Sequence, residues 1–272
     1  MVRRHEVSAA ALDDAHVLEQ ARQPKTTEKR VLKRAELLAP ELGFDAAMQQ
    51  WNSVRRLLFV ALAVLAILAG VGFARGALAT SGVFSGDVSL VYAVLVLLGF
   101  NIALLLAWFI TLFTQNEPRG VGSLGLTLAE KLIRDPKTLL ASESVVSLAG
   151  SHSLAKPLFS VFTHAFWLVV MVACWLALFL MLGGQSYTFE WSTTIMSAET
   201  MAAFANAVGW LPALAGFQAP GLEQLNITPA LSDHRMAGQW LLAMVGFYGV
   251  LLRFVLLSGS LAALKFKIAR MK

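Results

Sequence analysis

The sequence predicts an all-α, polytopic membrane protein: four transmembrane helices, a cytoplasmic N-terminal helical segment and an apolar, helical extracytoplasmic cap. Three observations predict it. Of 272 residues, 57% are hydrophobic and 14% charged, with a mean hydropathy of +0.65, where soluble domains carry about 45–50% apolar and about 25% charged residues. Four apolar runs, at 57–78, 88–113, 161–182 and 238–264, are each long enough to cross a hydrocarbon core about 30 Å thick. Finally, Lys and Arg are segregated: ten in 1–56, five in 114–160 and four in 265–272, against only Arg75 and Arg235 on the other side and Arg253 within the last run. Because positive charge stays on the cytoplasmic side, both termini and the 114–160 connection are expected there, in a bacterial inner membrane.

Residues 1–50 form the cytoplasmic segment. The spacing predicts one helix over Ala9–Arg22 and another over Thr27–Leu38, with Val31, Leu32, Ala35 and Leu38 sharing a face and Pro24 between them. The first apolar run begins near Leu57, too far in for a secretory signal, so no cleaved leader is expected. Residues 51–272 form the transmembrane domain. Trp51, Arg55 and Arg56 anchor the start of the first span, and Gly72 and Gly76 form a small-xxx-small pair suited to helix contact. The second span carries Asn101 and ends before Pro118 and Gly120. In the 114–160 linker, Leu124, Leu128, Leu132 and Ile133 make one apolar stripe of an amphipathic helix. The third span holds His164, Trp167 and Cys174.

The connection 185–235 is too apolar for a solvated loop. Its segment Met201–Phe217 is interrupted by Pro212, and a crossing there would move the 265–272 charges outside, so it is expected to cap the bundle without spanning it. Trp191, Thr193, Thr194 and Trp210 are assigned to the extracytoplasmic interface, with the hydroxyls of 192–194 capping a helix after the third span.

The candidate site lies in the last span. Arg253 stands twelve residues before Lys265, roughly 18 Å at about 1.5 Å per residue, near the bilayer midplane and too deep to snorkel. An ionisable group there is a functional-site candidate. Asn101 is thirteen residues before Thr114 on a span of opposite direction, hence at similar depth, and is expected to face Arg253. Tyr248 would support the pair; His164, nearer the inner end of its span, is a secondary candidate. The pair either fixes helix register or binds an anion, a lipid headgroup or a partner's carboxylate.

Several stretches in this order resemble one bacterial inner-membrane family: WNSVRRLLFVALAVLAILAG, GFNIALLLAWF, YTFEWSTTI, the Trp210–Leu225 segment and QWLLAMVGFYGVLLRFVLL. The chain is similar to the family catalogued as domain of unknown function 2868, over about Trp51–Leu257. The resemblance implies an integral inner-membrane protein without enzymatic activity, often encoded beside a GTP-binding protein, which is the partner it implies. It implies longer relatives with a soluble C-terminal region, so this chain reads as a short or truncated member. The family's tyrosine-glycine-x-x-proline-arginine pattern is matched at Tyr248, Gly249 and Arg253, with Leu252 where proline is usual.

Cys174 alone provides no disulfide, and His5, His16, His152, His164 and His234 are scattered, so neither a metal site nor a cofactor is expected. The net charge of +5 and pI of 9.6 follow from membrane topology, and no nucleic-acid partner is expected. The expected function is a non-enzymatic scaffold or receptor recruiting or regulating a GTP-binding partner. The alternative is a small anion or solute transporter or channel using Arg253, which with four helices would need a homo-oligomer.

Overall fold

A computed structural model describes residues 2, 14–24, 26–79, 87–113, 135, 137–138, 154–191, 197–221 and 231–270. The chain divides into two compact units, one of residues 1–61 with 118–156, the other of 62–117 with 157–272.

In the first unit, α1 (Ala15–Ala21) and α2 (Thr27–Glu41) pack as a hairpin. Thr26 caps α2 by accepting a hydrogen bond from the Lys29 amide at 3.4 Å. Val17, Leu38 and Phe44 are buried together, and Arg34 pairs with Asp14 across the hairpin. The expected second helix is three residues longer than its pattern, because Pro40 sits in the last turn of α2 and leaves most of the helix ladder intact. Gly43, at φ +71°, then follows α2 in the left-handed region that favours glycine. The part of the expected first helix before Asp14 and the amphipathic 124–133 stretch lie outside the described residues. From the linker, Thr138 is buried and its hydroxyl lies 2.6 Å from Asp135 and 3.0 Å from Gln50.

Among the described residues, four helices are long and apolar enough to cross a membrane: Phe44–Ala77, Leu90–Ile110, Ala155–Gly184 and Asp233–Ala269. Helix α3 (Phe44–Ala77) starts thirteen residues before the predicted first span. At 34 residues it is about 50 Å long, so polar and apolar stretches share one helix and hydropathy alone missed its start. The division between the two units falls within it. Leu57, Val60, Leu68, Phe109, Leu180 and Phe254 are exposed on the spans, as lipid-facing side chains must be.

In the second unit, strand β1 (Val88–Ser89) pairs in parallel with β2 (Phe189–Glu190), a two-residue ladder within an otherwise helical fold. Helix α4 (Leu90–Val94), capped by Ser89, passes through a π-helical turn, π1 (Leu95–Gly99), into α5 (Phe100–Phe113). Helix α6 (Ala155–Gly184) begins six residues before the predicted third span. Pro157 falls in its first turn, where a backbone N–H has no intrahelical partner to lose. The last span is α8 (Leu231–Met244), a second π-helical segment π2 (Val245–Leu251), and α9 (Leu252–Ala269).

Between them, α7 (Ala198–Ala213) has 16 residues, about 24 Å, short of a crossing. Its cap is Ser197, whose hydroxyl accepts from the Thr200 amide at 3.3 Å, not a hydroxyl of 192–194; the helix simply begins later than expected. Met201 and Ala205 bury into the core beneath α7, and Gly209 lies against the Trp240 indole.

Close helix contact is made by a glycine other than the expected pair. A Cβ on Gly70 would collide with the Val170 carbonyl oxygen, so α3 and α6 touch backbone to backbone there. Gly72 faces open space, and a Cβ on Gly76 would meet only Val96, at 3.8 Å. Sequence spacing identified a small-residue face, but Gly72 is turned away from the neighbouring helix.

Candidate functional site

Arg253 follows π2 by two residues, and Asn101 follows π1 by two. The two π segments pack on one another. A π turn widens the helix and shifts backbone pairing by one residue, which re-aims the residues just after it. Both changes of helical phase therefore occur beside the same pair.

The structure brings Arg253 and Asn101 together. Arg253 Nε donates to Asn101 Oδ1 at 2.9 Å and Nη2 to the same oxygen at 2.7 Å, while Nη2 also donates to the Asn101 carbonyl at 3.2 Å. The amide is thus gripped by the guanidinium fork. Asn101 Nδ2 in turn donates to the Tyr248 carbonyl at 3.3 Å, so Tyr248 contributes its π-segment backbone. Arg253 is 0% and Asn101 1% exposed.

His164 belongs to this cluster, contrary to its lower ranking on depth. Its Nδ1 lies 3.3 Å from Arg253 Nη1. His164 stands nine residues into α6, which starts at Ala155. A guanidinium only donates, so Nδ1 accepts and the ring proton sits on Nε2. That Nε2 is buried without a hydrogen-bond partner among the described residues. The imidazole stands edge-on to Trp108, with ring centroids 4.4 Å apart, and Trp108 Nε1 donates to Ser160 at 2.9 Å. Trp167 covers another side of the guanidinium at 5.8 Å, a cation–π contact.

Three spans thus meet at one buried cation. Among the described residues, no carboxylate lies within ion-pair reach of Arg253. Its charge is held by amide, imidazole, carbonyl and aromatic faces, dipoles that stabilise without neutralising.

The remaining sequence candidates fall elsewhere. Trp191 is 3% exposed, its Nε1 donating to the Pro220 carbonyl at 3.1 Å and its ring 5.7 Å from Trp240. It is a core residue, because the 185–191 connection folds back through the β ladder. Trp210 is 58% exposed. Thr193 and Thr194 lie outside the described residues. Sequence reasoning missed Trp108, Ser160 and both π segments; the apolar runs give no sign of a π turn.

The model of a family described as Protein of unknown function (DUF2868) matches residues 128–272, more than half of the chain. The chain belongs to this family. The DUF2868 match includes His164 and Arg253 and begins after Asn101. One curated relative, an uncharacterized membrane protein (NMB1645) of Neisseria meningitidis serogroup B, is 25% identical over 96 residues, 34% of this chain and 22% of the relative's length. No solved structure matches. This DUF2868 chain is a membrane protein with four apolar helices of spanning length among its described residues.

Proposed function

We propose that the protein is a non-enzymatic integral inner-membrane scaffold or receptor that recruits or regulates a soluble GTP-binding partner at the cytoplasmic face. The observation that carries this reading is the uneven burial of one helix face. On α2, Leu38 is buried and Ala35 partly so, while Val31 and Leu32, on the same predicted stripe, are 61% and 64% exposed. A charged helix that leaves two large apolar side chains in water suits contact with another protein. The nucleotide class of the partner comes from the family resemblance. A photo-crosslinking residue at Leu32, activated in native membranes, is expected to yield one discrete adduct with a GTP-binding protein. Adducts with lipid or with the chain itself alone would refute the reading.

A second reading, an anion path through an oligomer, is favoured by the absence of a carboxylate beside Arg253 among the described residues. It requires Arg253→Met to abolish anion flux in proteoliposomes; unchanged flux would end it.

A further inference from the structure

A cavity of about 490 Å³ opens where α6 ends and α8 begins. Its floor is apolar, formed by Phe179, Leu182 and Leu242. Phe179 is exposed on the same span that exposes Leu176 and Leu180, so the floor runs on into lipid-facing surface.

The rim is different. His234 Nδ1 accepts the Phe189 amide N–H at 3.0 Å, which places the proton on Nε2 of the neutral ring and makes that nitrogen a donor. The Tyr187 hydroxyl donates to Gln185 Oε1 at 3.1 Å, occupying an acceptor and leaving the amide NH2 of Gln185 available. Arg235 is exposed on the rim and makes no ion pair or hydrogen bond among the described residues. Among the described residues no carboxylate lines the cavity, and the acids adjacent in sequence, Glu190 and Asp233, each have interactions of their own. The rim is therefore rich in donors, carries a positive charge that no described residue pairs, and adjoins an apolar floor.

We propose that this cavity binds an anionic glycerophospholipid, its phosphate at Arg235 and His234 and the start of its acyl chain over Phe179 and Leu182. The charge of the rim calls for an anion with several acceptor oxygens, and Arg is suited to phosphate. The floor decides between lipid and free phosphate: only an amphiphile covers Phe179, Leu182 and Leu242 while satisfying the rim. The β1–β2 ladder serves the site by holding the 189–190 segment whose amide orients His234.

The test is native mass spectrometry of the full chain in detergent, titrated with phosphatidylglycerol, phosphatidylcholine and inorganic phosphate. Phosphatidylglycerol is expected to bind about tenfold more tightly than phosphatidylcholine, and Arg235→Glu to remove that preference, the scale of one charge-assisted hydrogen bond. Arg75→Glu, an equal charge change at another exposed position, is expected to alter binding less than about twofold. Gly183 lines the cavity and a Cβ there meets nothing within 4 Å, so Gly183→Trp should fill the mouth and block the lipid without disturbing the fold. Unchanged tryptophan fluorescence and thermal melting of Arg235→Glu verify its fold. Equal affinity for the two lipids, equal effects at Arg75 and Arg235, or displacement of phosphatidylglycerol by millimolar inorganic phosphate would each overturn the proposal.

Discussion

Replacing Asn101 by leucine tests what holds the three spans together. The change keeps side-chain volume and apolarity suited to a span, but removes Oδ1, which receives both Nε and Nη2 of Arg253, and Nδ2, which bonds the Tyr248 carbonyl. Hydrogen bonds to charged groups contribute about 1.5–3 kcal/mol each, and breaking one side of a buried charge pair costs about 3–5 kcal/mol. Against this, intramembrane hydrogen bonds measured by double-mutant cycles average about 0.6 and reach about 1.7 kcal/mol. The larger figure should prevail, because Arg253 is 0% exposed and cannot turn to water, and among the described residues only the Asn101 backbone oxygen and His164 would remain as hydrogen-bond partners, with the Trp167 face beside them. Asn101→Leu is therefore expected to destabilise by about 3 kcal/mol. Arg253→Met, which leaves neutral groups unpaired, should cost less, about 1–2 kcal/mol. The double variant should recover at least about 1 kcal/mol relative to the sum, since replacing both members of a buried polar pair by apolar groups is often near neutral. Steric-trap unfolding in bicelles reads all three. Additive effects, or a cost below about 0.5 kcal/mol for Asn101→Leu, would refute the view that this amide carries the buried charge.

Three further outcomes follow from the geometry. Gly70→Ala should cost about 1–3 kcal/mol by forcing α3 from α6, whereas Gly72→Ala, facing open space, should be neutral or slightly stabilising in the same unfolding assay. Asp135 titrates below the ordinary carboxylate range, first because its side chain accepts from the Thr138 hydroxyl and then from the Thr138 amide. This lowered pKa contributes stability above the unfolded value that is lost as pH falls through the folded one; Thr138→Val should raise it in a carbon-13 NMR titration, and an unmoved midpoint would contradict the assignment. Trp191→Phe keeps the packing against Trp240 but loses the bond to the Pro220 carbonyl, so chemical unfolding should report a loss of about 0.5–1.5 kcal/mol.

The apolar runs made four spans legible, because crossing a bilayer imposes length and hydropathy on each run independently of its neighbours. Asn101 could be read as the partner of Arg253 because two polar residues at similar depth in antiparallel helices have few alternatives. Helix starts were less legible. Phe44 and Ala155 lie in polar sequence, where helical backbone and lipid contact part company.

What the sequence by itself determined is the class of the protein and the presence of four apolar spans, since each follows from the transfer of individual side chains between water and lipid. Only the tertiary structure decided what meets at Arg253. The π segments before Asn101 and Arg253 change which helix face looks inward, and the Gly70 contact sets which residues of α6 face α3. Rotation about a helix axis is fixed by packing against neighbours, and in spans that are apolar on every side little in the sequence reveals it.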